Sequence, residues 1–167
     1  MFYPNRPKIR PVKTLFDFVF EALAVGGMLL GVYLIFANYS DLPETIPIHF
    51  NASGVADGFG KKGMIWLLPS ISLLLVPGML LLRRCPWVSN VPLKITEENA
   101  VYQYGLIVKL LGFLAAVVSL TFTTIVYDTI EIAHGGSSLL GAWFIPAMVV
   151  PIFGCMIWYF VAAIRGR

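Results

Sequence analysis

The sequence predicts an all-α membrane protein with four transmembrane helices, and three observations support that prediction. Of the 167 residues, 58% are hydrophobic and only 13% are charged, and the mean hydropathy is +0.81. A soluble domain carries roughly a quarter charged residues. The apolar residues form blocks of about 20, the length that a helix needs to cross a bilayer. Such runs form helices because backbone in lipid must satisfy its hydrogen bonds internally.

The predicted helices cover residues 15–37, 64–82, 97–126 and 139–164. The first block is too long to be typical of a cleaved signal peptide. It also contains the acidic residues Asp17 and Glu21, which such a peptide would not be expected to carry. The third helix is expected to begin near Glu97, before its apolar run, because Thr96 is a suitable N-cap residue. We predict one membrane domain over residues 1–167, with an ordered loop at 38–63.

The distribution of lysine and arginine predicts the orientation, because basic residues collect in cytoplasmic segments. Both terminal segments and the second loop together carry nine: Arg6, Lys8, Arg10, Lys13, Arg83, Arg84, Lys94, Arg165 and Arg167. The first loop carries only Lys61 and Lys62, and the third carries none. Both termini are therefore expected in the cytoplasm of a multi-pass protein of the bacterial cytoplasmic membrane, with loop 38–63 outside. Basic residues at membrane edges do not indicate nucleic-acid binding.

Two charged residues lie inside predicted spans at similar depth. Glu21 is about two turns into the first helix and Lys109 is comparably placed in the third. Charges within a span are usually paired or functional. We predict a Glu21–Lys109 ion pair; the alternative is that both side chains extend to the inner interface.

The first loop contains the main polar segment of the chain, I-P-I-H-F-N-A-S-G-V-A-D-G-F-G-K-K at 46–62. Its glycines, Asn and Asp are typical of turns, and its Ile and Phe residues favour packing onto the helix ends as a lid. The candidate ligand-binding or structural residues are Pro47, His49, Phe50, Asn51, Gly54, Asp57, Gly60 and Lys62.

Two chemical alternatives remain open for the same loop. His49, Asp57 and His134 are all expected on the outer side, and histidine with carboxylate suits zinc, although no close ligand spacing is present. His49 could also act as a general base beside Asp57, although no nucleophile motif accompanies it. We predict no cofactor apart from this zinc alternative, and we favour a non-enzymatic protein while leaving a membrane enzyme open.

Residues 42–62, L-P-E-T-I-P-I-H-F-N-A-S-G-V-A-D-G-F-G-K-K, resemble the signature of a bacterial membrane family, a domain of unknown function found in the N-terminal half of SdpI-type immunity proteins. The pattern is approximately L-P-x-x-I-P-x-H-F-N-x-x-G-x-x-D-x-W/F-G-x-K. Residues 92–100 also resemble the segment after the second helix in short members. The resemblance implies a multi-helix membrane protein; SdpI-type members protect cells against a secreted peptide toxin. Nothing here resembles their additional C-terminal helical region, so immunity through that region is not implied.

Two functional hypotheses follow. The first is a non-enzymatic protein that binds or resists an extracellular ligand, such as a peptide, in an immunity or signalling role. The second is a small transporter or membrane enzyme, with metal dependence left open, that has an outward-facing polar site around His49 and Asp57. The bilayer is the expected partner in both. A small-residue face at Gly26, Gly27 and Gly31 leaves open whether the chain forms homo-oligomers.

Overall fold

The computed structural model describes residues 6–91 and 93–166, and within them the chain is mostly helical. The elements in order are α1 (Leu15–Asn38), β1 (Thr45–Phe50), β2 (Ala56–Lys61), α2 (Leu67–Leu82), α3 (Ala100–Ala133) and α4 (Phe144–Arg165). A 3₁₀ turn, Lys62–Trp66, leads into α2, and another lies at Pro86–Val88. Four helices of the described part are long and apolar enough to cross a membrane. Pro92 and Arg167, used in the predictions above, lie outside the described residues.

Helix α3 is the centre of the bundle and packs against the other three helices. Its contact with α1 is close because small residues face hydroxyl side chains there. Ser119 Oγ donates to the carbonyl of Ala24 at 2.7 Å, and Thr123 Oγ1 donates to that of Gly27 at 2.7 Å. A Cβ at Gly27 would lie 2.7 Å from Ser119 Oγ, so a larger residue would push the helices apart. The small-residue face of α1 therefore packs within the bundle, through Gly27 and Gly31.

The buried apolar residues of the described part form three clusters along the bundle. In the midsection, α1, α2 and α3 meet at Ala24, Val76, Ala115 and Ala116. The other two clusters lie at opposite ends of the bundle. The cluster at the first end consists of Ile35, Leu42, Ile46, Ile65, Val126 and Ile130. The cluster at the second end consists of Val91, Ile95, Ala100, Tyr104, Leu106, Ile107, Tyr159 and Ala163. The first end, with β1, β2 and the α3–α4 connection, is called the hairpin end. The second, with residues 6–14, the α2–α3 connection and the last turn of α4, is called the tail end.

The structure differs from the sequence predictions at several boundaries. The loop predicted at 38–63 contains a two-stranded antiparallel sheet, which the all-α prediction lacks. Helix α3 begins at Ala100 because the side chain of Asn99 accepts from the Thr96 N–H at 2.9 Å and holds the preceding residues in a turn. It continues to Ala133, and its 34 residues span about 50 Å, longer than the roughly 30 Å hydrocarbon core. Helix α4 begins at Phe144 rather than near 139.

The tail end is tied together by side chains that reach backbone carbonyls. Gln103 Nε2 donates to the carbonyl of Ala163 at 2.9 Å, and the Tyr104 hydroxyl donates to that of Pro7 at 2.9 Å. The guanidinium of Arg6 donates to the carbonyl of Ser89. The segment before α1 therefore packs against the α2–α3 connection and the central helix.

Candidate functional site

The segment singled out by the sequence forms a β-hairpin. Its tight turn is fixed by Asn51, whose side-chain oxygen accepts from the N–H groups of Ser53 and Val55 at 2.9 and 3.1 Å. Gly54 has a φ of 76°, a left-handed conformation that favours glycine. The strands pair from Thr45↔Lys61 to Phe50↔Ala56, with irregular register around His49.

The hairpin tip is anchored to the α3–α4 connection through a buried carboxylate. Asp128, in α3, is fully buried. It accepts from the Ser138 hydroxyl at 2.7 Å and from the Leu139 N–H at 2.5 Å. Ser138 Oγ also lies 3.1 Å from the carbonyl of Gly54, and a Cβ on Gly54 would overlap the carbonyl of Leu140. The tip is therefore held against this connection at a contact that only glycine fits.

The base of the hairpin is held by a second set of contacts. Lys62 Nζ lies 2.9 Å from a Glu44 carboxylate oxygen and 5.5 Å from the centre of the Tyr39 ring. The Lys62 N–H also donates to the carbonyl of Glu44 at 3.0 Å. Ile46 is fully buried, and Pro47 beside it is also buried. The hairpin is thus fixed at both ends and packs on the helices.

His49 and Asp57 form a cross-strand pair on the exposed surface of the hairpin. His49 Nδ1 lies 2.5 Å from Asp57 Oδ1, and the two side chains are 70% and 44% exposed. Gly58, opposite His49, leaves room for its side chain, because a Cβ there would lie 2.9 Å from His49 Cβ. A solvent-exposed side-chain pair of this kind contributes little to stability, about 0–1 kcal/mol even for an ion pair. The pair is therefore available for contacts with another molecule.

A groove of about 280 Å³ lies between the hairpin and the helices. Its polar side is formed by hairpin residues, including His49 and Asn51, and its apolar side by α2, α3 and α4 through Leu68, Ile125 and Ile145. A neighbouring groove of about 150 Å³ shares four of these lining residues, Ile48, Phe50, Leu68 and Ile125. The arrangement offers hydrogen-bonding groups beside an apolar floor, as small-molecule and peptide sites do.

The residues weighed as zinc ligands are only partly brought together. His49 and Asp57 are adjacent, while His134 lies beyond the end of α3. Among residues 6–91 and 93–166, no three His, Cys, Asp or Glu side chains group as a metal ion would require. The zinc alternative stays a prediction.

Glu21 pairs with residues other than Lys109. Its carboxylate lies 2.6 Å from Lys13 Nζ and 3.7 Å from Arg83 Nη1. Arg83 also bonds Asp17 at 3.0 Å, and both of those side chains are only 2% exposed. In the structure Lys109 is not among these partners of Glu21.

Two features of this arrangement were missed by the sequence predictions. No partner was predicted for Asp17, yet it accepts from the Thr14 N–H and hydroxyl at 2.8 and 2.7 Å as well as from Arg83. Gly112 leaves room for the guanidinium of Arg83, since a Cβ there would lie 2.9 Å from Arg83 Cζ. An acidic residue three positions after Thr14 is the sequence signal for the first feature. The second depends on tertiary packing.

Comparison with known proteins gives a partial match. Residues 27–73 match a family described as "Domain of unknown function (DUF1648)", a stretch that includes the end of α1, the hairpin and the start of α2. A protein of Archaeoglobus fulgidus described as "Uncharacterized protein" is 35% identical over 79 residues, which cover 39% of this chain and 43% of that protein. The chain thus matches less than half the length of that relative. No solved structure matches it.

Proposed function

We propose that the chain is a non-enzymatic protein of the bacterial cytoplasmic membrane, related to the SdpI-type family, whose hairpin end faces outward and binds an extracellular ligand. The role is of the immunity or signalling kind. The distribution of charge supports this orientation: the described basic residues at the tail end are Arg6, Lys8, Arg10, Lys13, Arg83, Arg84, Lys94 and Arg165, against Lys61 and Lys62 at the hairpin end. Such an imbalance favours a cytoplasmic tail end.

The groove beside the hairpin is the observation that carries the proposal. It places the exposed His49 and the backbone turn at Asn51 next to apolar side chains of three helices. A peptide with one apolar face could lay that face on Ile125 and Ile145 and place polar groups against the His49–Asp57 pair. The hairpin is already fixed by Asp128 and Lys62, so little ordering entropy opposes binding.

The alternative, a transporter or membrane enzyme, needs a polar path from His49 and Asp57 toward the level of Glu21. Between these levels, α1, α2 and α3 are packed by the fully buried Ala24 and Val76 and their apolar neighbours. The His49–Asp57 pair itself is solvent-exposed. Recognition is therefore the function that the arrangement supports better.

The test uses purified protein and cells that express it, challenged with a panel of secreted amphipathic peptide toxins. We expect the protein to bind at least one peptide and to raise the dose that halves growth. His49→Ala and the groove-filling Ile145→Trp should each weaken binding about fivefold, the loss of roughly 1 kcal/mol that marks an important interface residue. Lys61→Ala, an exposed residue of β2 outside the groove, is the matched control. Wild-type binding and protection in both groove variants would refute the proposal.

A further inference from the structure

Lys109 is a half-buried cation of α3 with no hydrogen-bond or ion-pair partner among the described residues. It lies near the level at which the membrane helices begin at the tail end. Phe16, in the first turn of α1, lines the same groove as Lys109. Gly112, one turn further along α3, contacts the guanidinium of Arg83 at the end of α2. In a bilayer crossed by these helices, lipid headgroups would meet the hydrocarbon near this level.

Two grooves of different character meet at Lys109. One, of about 310 Å³, lies between α1, α3 and α4 and is lined by aromatic side chains and a thiol, namely Phe16, Phe20, Phe113, Cys155 and Trp158. The other, of about 290 Å³, extends toward the tail end and is lined partly by polar groups, including Thr14, Asp17 and Tyr102. Among the described residues that line these grooves, Asp17 is the only one with a carboxylate, and it is already paired with Arg83.

We propose that these two grooves bind one membrane phospholipid with an anionic headgroup. Its phosphate contacts the Lys109 ammonium, an acyl chain occupies the aromatic groove, and the rest of the headgroup lies in the groove beside Tyr102. The unpartnered cation supplies charge complementarity, and the more polar lining of the second groove matches the change in polarity along a phospholipid. This inference is independent of the proposed ligand at the hairpin end.

Lipids with brominated acyl chains test the proposal because bromine quenches nearby tryptophan fluorescence. The purified protein in neutral detergent is titrated with brominated phosphatidylglycerol or brominated phosphatidylcholine. The fluorescence quenching that is present in the unmodified protein and absent from the Trp158→Phe variant is the quenching of Trp158. We expect half-quenching at an about fivefold lower concentration of the anionic lipid, the effect of one basic residue near a lipid surface.

Lys109→Gln should abolish that preference, while Lys109→Arg and the exposed control Lys94→Gln should retain it. Thermal unfolding of each variant identifies any that fails to fold, and in that case Lys109→Met replaces Lys109→Gln. Inorganic phosphate at millimolar concentration should not compete. The proposal is overturned if the preference survives without the Lys109 charge, if inorganic phosphate alone removes it, or if Trp158→Phe leaves the quenching unchanged.

Discussion

The buried pair of Asp17 and Arg83 predicts a large and specific loss of stability. Arg83→Met removes the cation and leaves a carboxylate that is 2% exposed. Breaking a buried ion pair from one side typically costs about 3–5 kcal/mol, because the remaining charge is uncompensated. We expect a loss in that range. The hydrogen bonds from Thr14 to Asp17 remain in this variant, so its cost reports on the missing guanidinium.

The neighbouring Arg84 provides the matched control because it is exposed. Arg84→Met makes the same chemical change and should alter stability by no more than about 0.5 kcal/mol. The double variant Asp17→Asn/Arg83→Met removes both charges, and we expect a coupling free energy of about 2–3 kcal/mol between the two sites.

Equilibrium unfolding in mixed micelles, followed by circular dichroism, measures these free energies. Glu21→Gln should cost about 1 kcal/mol or less, because that side chain is 28% exposed and its ion pairs are screened. If Arg83→Met is as stable as Arg84→Met, or if the effects of Asp17→Asn and Arg83→Met simply add, the buried pair does not stabilise the fold.

Three further perturbations test the packing. Gly54→Ala should destabilise the protein by about 2 kcal/mol or more, as measured by chemical unfolding. The left-handed conformation costs alanine roughly 1–2 kcal/mol, and the overlap of its Cβ with the Leu140 carbonyl adds to that cost. Asp128→Ala leaves the Leu139 N–H without its acceptor and should speed proteolysis within the hairpin; an unchanged cleavage rate would contradict its anchoring role. Gly27→Val should destabilise the α1–α3 contact, whereas Gly26→Val, with open space around it, should not; equal unfolding curves would contradict that contact.

The four spans were predictable because each apolar block is long enough for a helix to cross a bilayer. The end of α3 was not predictable, because the polar residues Asp128 and Thr129 are buried in the structure. Hydropathy ended the predicted helix at 126, whereas the helix continues to Ala133 because the polar side chains of its last turns face protein.

The candidate residues of the hairpin could be named from the sequence, but their separate positions needed the structure. Asn51 and Gly54 form and anchor the turn, whereas His49 and Asp57 stay on the surface. Composition cannot separate these roles, because glycine and asparagine are common in any turn. The contact of Ser138 with Gly54 could not be predicted from the sequence either, since it joins residues 84 positions apart.

The most direct test of the proposed outward recognition surface is the location of the hairpin in intact cells. In a chain with Cys85→Ser and Cys155→Ser, Ser53→Cys places one thiol at the exposed hairpin tip and Asn90→Cys places one at the tail end. A membrane-impermeant maleimide should label position 53 in intact cells and position 90 only after permeabilisation. Labelling of position 90 alone in intact cells would contradict the account, because an inward-facing hairpin could not meet an extracellular ligand.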